Sequence, residues 1–175
     1  MQQEIKKTWH FGQAPHEVWD YLTKPELIEQ WLMKSDFQPV VGHRFRFIGG
    51  CDHGVDKVAA QCEVLEVKPF SRLVYSWQTD SLKDLKPFTS KVVWTLAPKG
   101  NGTELVLVHN GFTVLEDMLA HNDGWKRIGN KMVEFFQAIN GISKNSANPS
   151  LQEKGEGMTR SKEEFLEMSS KIEQP

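Results

Sequence analysis

With 175 residues, 39% of them hydrophobic and 25% charged, the chain has material for one domain with a real core plus an appendage. A formal net charge of -2, with Lys and Arg dispersed among Asp and Glu, leaves no basic footprint for nucleic acid. No apolar run approaches the roughly 18 residues of a membrane span, and the charged start MQQEIKKTWHF is unlike a signal peptide; with only Cys51 and Cys62 as thiols, a cytoplasmic protein without disulfides is expected.

In chain order, Glu4 to Phe11 alternates Ile5, Lys7, Trp9 and Phe11 with polar residues and predicts a first strand. Pro15 opens a short helix with Val18, Trp19 and Leu22 on its apolar side. A second short helix carries Leu27, Ile28 and Trp31, with Thr23 as its expected cap and Glu26 at capping-box spacing. Phe37 to Pro39 reads as a brief edge strand, where proline is tolerated. His43 to Ile48 alternates Phe45 and Phe47 with arginines, and Gly49-Gly50 with Asp52 to Gly54 predicts the turn. Val58, Ala60, Cys62 and Val64 then share one parity on a long strand whose phase switches near Leu65, predicting a bulge.

Arg72 to Gln78 places Leu73, Tyr75 and Trp77 on one face, and a polar loop runs from Thr79 to Pro87. Lys91 to Leu96 and Glu104 to His109 form a hairpin around Pro98-Lys99-Gly100-Asn101-Gly102. Thr113 and Glu116 mark a helix start, and Asn122-Asp123-Gly124 predicts an interruption before the main helix. That helix, Gly124 to Ile139, carries Trp125, Ile128, Met132, Phe135, Phe136 and Ile139 in one stripe opposite a charged face. Gly129 in its middle has two readings, close packing on the sheet or a helix held off it by a cavity. Many strands with few crossover helices specify an antiparallel α+β fold. The expected organisation is a domain over residues 1–141 and an appendage over 142–175. In the appendage, Ser143 to Gly157 reads as a linker and Phe165, Met168 and Ile172 as the stripe of a short helix.

Pro15-His16-Glu17-Val18-Trp19, Leu22-Thr23 and Pro25 to Trp31 resemble the opening of the START-like (SRPBCC) helix-grip superfamily. The similar branch is typified by the C-terminal domain of the activator of the heat-shock-protein-90 ATPase. Gly42 to Phe47, Val64 to Val67, Arg72 to Trp77, Gly102-Thr103 with the strand to His109, Gly111-Phe112 and Gly124-Trp125 continue the match. It covers roughly Ile5 to Ile139. The resemblance implies a curved antiparallel sheet wrapped around a long C-terminal helix, two short helices after the first strand, and an internal cavity. Proteins similar to this bind lipids or small hydrophobes, act as cyclase-like enzymes, or serve as co-chaperones in stress responses. No shared catalytic signature comes with it.

Strand parity nominates the residues that would line such a cavity: Phe45, Phe47, Cys62, Tyr75, Trp77, Trp94 and His109, facing Trp125, Ile128 and Met132. Trp31 and Phe112 are expected at an entrance. Aromatic and methionine side chains suit an apolar guest, although any sheet-helix domain needs the same residues as core. His109 reads as a general base, a ligand-orienting group or a donor to a backbone carbonyl. Tyr75 reads as a hydrogen-bond donor in the cavity or as a core residue. Cys51-Asp52-His53 with Cys62 fits no usual zinc spacing, and neither a metal nor a cofactor is expected. Three functions compete: a carrier or sensor for a hydrophobic small molecule or lipid, a cyclase- or dehydratase-like enzyme using His109 or Tyr75, and a co-chaperone of a heat-shock ATPase. A second copy of the chain is a further candidate partner.

Overall fold

Residues 3–146 are described by a computed structural model, with side chains to residue 139 apart from those of Cys51 and Asp52. The element order is β1 (Glu4–Phe11), α1 (Pro15–Thr23), α2 (Pro25–Trp31), β2 (Lys34–Ser35), β3 (Arg44–Asp52), β4 (Val55–Lys68), β5 (Arg72–Asp80), β6 (Pro87–Lys99), β7 (Gly102–Asn110) and α3 (Leu115–Ser146). The strands form one antiparallel sheet in the order β1-β7-β6-β5-β4-β3-β2. The first strand pairs with the last, from Glu4 opposite Asn110 to Phe11 opposite Thr103. The curled sheet and three helices make the expected α+β helix-grip architecture.

Alternation sets which face is buried. Leu73, Tyr75 and Trp77 on β5, Trp94 and Leu96 on β6, and Leu105, Leu107 and His109 on β7 all turn into the core. The phase switch on β4 is a real irregularity: the β4–β5 register slips between Val64 and Glu66, and Leu65 is turned outward.

Several local expectations are corrected. The edge strand is Lys34–Ser35, opposite Ile48 and Phe47, while Phe37 is buried edge-on against Phe45 with ring centroids 4.9 Å apart. Core contact, not sheet pairing, claims that phenylalanine. Gly49 and Gly50 belong to β3, where the register shifts, and the turn itself is His53-Gly54, both with positive φ between the paired Asp52 and Val55. Thr23 does not cap α2. Its hydroxyl donates to the Trp19 carbonyl at 2.8 Å, and the capping position falls on Lys24. The two short helices are joined instead by the Trp31 indole N–H, which donates to the Tyr21 carbonyl at 2.9 Å.

The break predicted at Asn122 to Gly124 does not occur, and α3 is continuous from Leu115. Three poor helix formers cost roughly 2 kcal/mol together. Burying Trp125, Met132 and Phe136 contributes about 1.5–3 kcal/mol each, which outweighs that cost. A further tie sits in the first turn, where the buried Asp117 carboxylate accepts from the Ser81 hydroxyl and the Leu82 N–H, each at 2.7 Å. Gly129 is a close-packing glycine: a Cβ there would stand 2.7 Å from Cζ2 of Trp9 on β1. The helix runs on to Ser146, past the start of the segment read as a linker. The remainder of that linker and the stripe of Phe165, Met168 and Ile172 lie outside the described residues.

Candidate binding cleft

The grip is filled at its centre. Trp94 on β6 meets Trp31 of α2 at 5.9 Å, Trp125 of α3 at 5.7 Å and Trp9 of β1 at 6.2 Å between ring centroids. Its indole N–H donates to the Tyr75 hydroxyl at 2.9 Å, and burial pushes the Tyr75 phenol above its ordinary range. Trp31, Phe47, Tyr75 and Trp94, with Leu22, Ile28, Leu32 and Phe37, enclose a void of ≈ 10 Å³. That is room for one water at most. The internal cavity expected from the sequence is closed here by interlocked aromatic side chains.

A larger hollow opens beside it, between the first turns of α3 and the end of β5. It measures ≈ 210 Å³ and is lined by Met33, Trp77, Ala120, His121, Gly124, Trp125 and Ile128. Trp77 and Trp125 form adjoining walls with ring centroids 5.8 Å apart. His121 is half-buried, with Phe112 at 5.2 Å and Phe88 at 6.1 Å; its Nδ1–H donates to the Asp117 carbonyl at 2.7 Å.

Behind these walls runs a chain of hydrogen bonds through His109, which is fully buried. The Ser90 hydroxyl donates to the Trp77 carbonyl at 3.1 Å, so its oxygen accepts from His109 Nε2 at 2.7 Å. That fixes the tautomer with the proton on Nε2, and the bare Nδ1 accepts from the Trp125 indole N–H at 2.9 Å. Burial, reinforced by the nearby His121, depresses the His109 pKa to about 3, so the ring is neutral. With both nitrogens engaged, His109 ties α3 to β6 and β7 and has no atom left to act as a base. One polar atom is left out of this order. Trp77 Nε1–H is buried and has no acceptor.

The nominated residues therefore separate. Trp77, Trp125 and Ile128 line the open cleft. Trp31, Phe47, Tyr75 and Trp94 surround the small void, so Trp31 is interior, not at an entrance. His109 and Phe112 stand behind the cleft with rings 4.6 Å apart, and Met132 is buried further along α3. Phe45 and Cys62 border a third hollow of ≈ 400 Å³ along β3, β4 and β5. It is otherwise lined by polar and charged residues, including the ion pairs Arg44–Glu63 at 3.2 Å and Arg46–Asp36 at 3.6 Å. Burial pushes the Cys62 thiol up, so it stays protonated. Among the described residues no group of His, Cys, Asp or Glu gathers to hold a metal, and no helix is long and apolar enough to cross a membrane.

Met33, Ala120, His121 and Gly124 were not expected at a site. The expected helix break hid the last three. Stepping back from Trp125 by four residues reaches His121 and Asp117, so the stripe could have been extended across Asn122 to Gly124.

Comparison with known proteins agrees with this architecture. Residues 13–137 match the family model described as Activator of Hsp90 ATPase homolog 1-like protein. The crystal structure of protein MLL2253 from Mesorhizobium loti is 32% identical, with a TM-score of 0.67 over 78% of this chain and 96% of that one. CalU16 from Micromonospora echinospora, 24% identical, matches 81% of this chain and 82% of its own with a TM-score of 0.62. The solution structure of the Aha1 dimer from Colwellia psychrerythraea, 16% identical, matches 77% of this chain and 94% of that one with a TM-score of 0.59. The last two share the fold alone. No curated protein matches the chain.

Proposed function

The chain belongs to the Activator of Hsp90 ATPase homolog 1-like family, and from that premise we propose that it is a carrier or sensor for a small hydrophobic molecule seated between Trp77 and Trp125. The observation that carries this reading is the ≈ 210 Å³ cleft, walled by two indoles and otherwise by Met33, Ala120, Gly124, Ile128 and the His121 ring. Engineered apolar cavities of about 150 Å³ take benzene, so this volume suits a one- or two-ring guest and not a long acyl chain. Apolar burial at ~25 cal/mol/Å² supplies the affinity. The engaged nitrogens of His109 favour binding over turnover.

Native mass spectrometry of freshly purified protein tests for a co-purified guest, and calorimetric titration with naphthalene derivatives tests the cleft directly. We expect saturable binding that is lost in Gly124→Leu, whose side chain would enter the cleft. Absence of binding up to the solubility limit, or binding unaffected by that substitution, would overturn the reading.

A second reading is favoured by the charged hollow over β3 to β5 together with the family's description: stimulation of a heat-shock ATPase through that surface. Its test is ATP turnover by such an ATPase with and without the protein, repeated with Arg44→Glu. No stimulation, or stimulation indifferent to the charge reversal, would dismiss it.

A further inference from the structure

We propose that His121 selects the guest's chemistry, its Nε2 accepting a hydrogen bond from a neutral hydroxyl group on an aromatic ligand of the phenol or naphthol class. This rests on the cleft reading above and adds the ligand class to it. The His121 ring lines the cleft and is half-buried. Its Nδ1–H is committed to the Asp117 carbonyl one turn back, at 2.7 Å. In the neutral ring Nε2, at the end away from the backbone, therefore carries the free lone pair. Among the described residues no group donates to that lone pair. Nor is the atom sealed: the buried side-chain polar atoms that lack a partner belong to Gln3, Gln13, Ser35 and Trp77. Nε2 of His121 thus keeps surface that a guest can reach.

The imidazole is also held in place. Ring centroids of Phe112, His109, Phe88 and Trp77 stand 5.2, 5.3, 6.1 and 6.3 Å away. All four come from β5, β6, β7 and the segment after it, so they take the sheet side of the ring and leave the side that lines the cleft. An acceptor fixed in advance loses little entropy when a guest binds it. The other lining side chains do not compete. The Trp125 indole N–H donates to His109, and the Trp77 Nε1–H is sealed off from the cleft. Ala120 and Ile128 are apolar, and Met33 offers only a thioether sulfur, a weak acceptor. The lining side chains therefore present one good acceptor and no free donor. A guest that brings a donor completes the site, and a guest that brings only an acceptor gains nothing from it.

Charge decides which donor. No Lys, Arg, Asp or Glu lines the cleft, so an ammonium group or a carboxylate would be desolvated there without a counter-ion, which is strongly unfavourable. A hydroxyl on an aromatic ring is neutral and donates well to an imidazole nitrogen. The volume and the flat indole walls make the rest of the guest a one- or two-ring aromatic.

The test is titration of the full chain, followed by NMR, with 2-naphthol, 2-methylnaphthalene, 2-methoxynaphthalene and 2-naphthoate, in the wild type and in His121→Phe. A buffer of about pH 8 lies below the ordinary phenol range and keeps the naphthol neutral. In the wild type the naphthol should bind about tenfold tighter than its methyl near-isostere, a typical yield of one buried hydrogen bond. The methoxy compound, which keeps the oxygen and loses the donor, should bind no better than the methyl one, and naphthoate should be weakest. His121→Phe should bring naphthol and methylnaphthalene to equal affinity. In ¹⁵N spectra of histidine-labelled protein, the Nε2 resonance that disappears in His121→Phe should move upfield with the naphthol and hold still with methylnaphthalene. Equal affinities in the wild type with no movement of that resonance would overturn the selector role while leaving the cleft reading intact. So would a methoxy compound as tight as the naphthol, or a naphthoate tighter than it. Failure of every probe to bind would overturn both. Should His121→Phe not fold, the wild-type affinity order and an Nε2 resonance assigned through the ring's contacts to Phe112 decide the question alone.

Discussion

Two glycines five positions apart on α3 should respond to the same substitution with opposite sign. Gly124 has open space where a Cβ would stand, with no heavy atom within 4 Å, and it lacks the positive φ that resists a side chain. Gly124→Ala should therefore stabilise the fold by about 1 kcal/mol, the helix-propensity gain alone, and raise the Tm by ~2–4 °C for a chain of this size. At Gly129 the added methyl would meet Trp9, with Cζ2 at 2.7 Å and Nε1 at 2.9 Å. Trp9 is itself packed against Trp94, so the indole must tilt or the helix must lift. Overpacking of that kind costs about 1–3 kcal/mol, which offsets or exceeds the propensity gain, so Gly129→Ala should be destabilising by ~1 kcal/mol. Urea titrations of both variants, fitted with a common m-value, measure the difference directly. If both alanines stabilise equally, α3 does not rest on Trp9, and the close packing inferred at this glycine is wrong.

His109→Gln should leave a protein whose stability depends less on pH. The folded-state pKa of about 3 lies below the ordinary 6.5, so the unfolded chain binds the proton more readily. Stability is full above pH 6.5 and falls as pH drops toward 3, by roughly 4–5 kcal/mol at the outside; urea midpoints across that range should show a shallower fall in the variant. Tyr75→Phe removes the acceptor of a buried indole N–H and should cost about 1–3 kcal/mol in the same assay, whereas no loss would mean that Trp94 finds another partner. Asp117→Ala should free the loop between β5 and β6, costing about 2–3 kcal/mol for bonds made to a charge. The Leu82 amide should then exchange with solvent much faster, and unchanged protection would refute the carboxylate's role.

Much of the fold was legible because it depends on periodicity, which sequence carries directly. Alternation on β5 and β7 named the buried face residue by residue, and the parity switch at Leu65 gave the bulge. Local chemistry misled where a tertiary contact outbid it. Thr23 bonds backward to the Trp19 carbonyl instead of forward as a cap, and Phe37 answers to Phe45 instead of to a neighbouring strand. Parity could nominate Trp77 and Trp125, but it could not tell a filled interior from an open one. That difference depends on how far the rings interlock, which is a matter of distances a few tenths of an ångström apart.

The same weak stretch of α3 that reads as a helix break is what leaves the cleft open. Ala120, Gly124 and Ile128 stand four residues apart along the helix, and His121 and Trp125 form the row beside them. Ala120 and Gly124 leave the space, and His121, Trp125 and Ile128 wall it. A stronger helix former with a long side chain at residue 124 would repay the propensity cost and fill the hollow at once. At Gly129 the missing side chain admits Trp9, and the sheet side is sealed. One helix thus uses glycine in two ways, closing against β1 at one point and standing open toward β5 at the other. It follows that selection for thermal stability alone should enrich larger residues at Gly124 and not at Gly129, and that variants so obtained should lose the guest before they lose the fold.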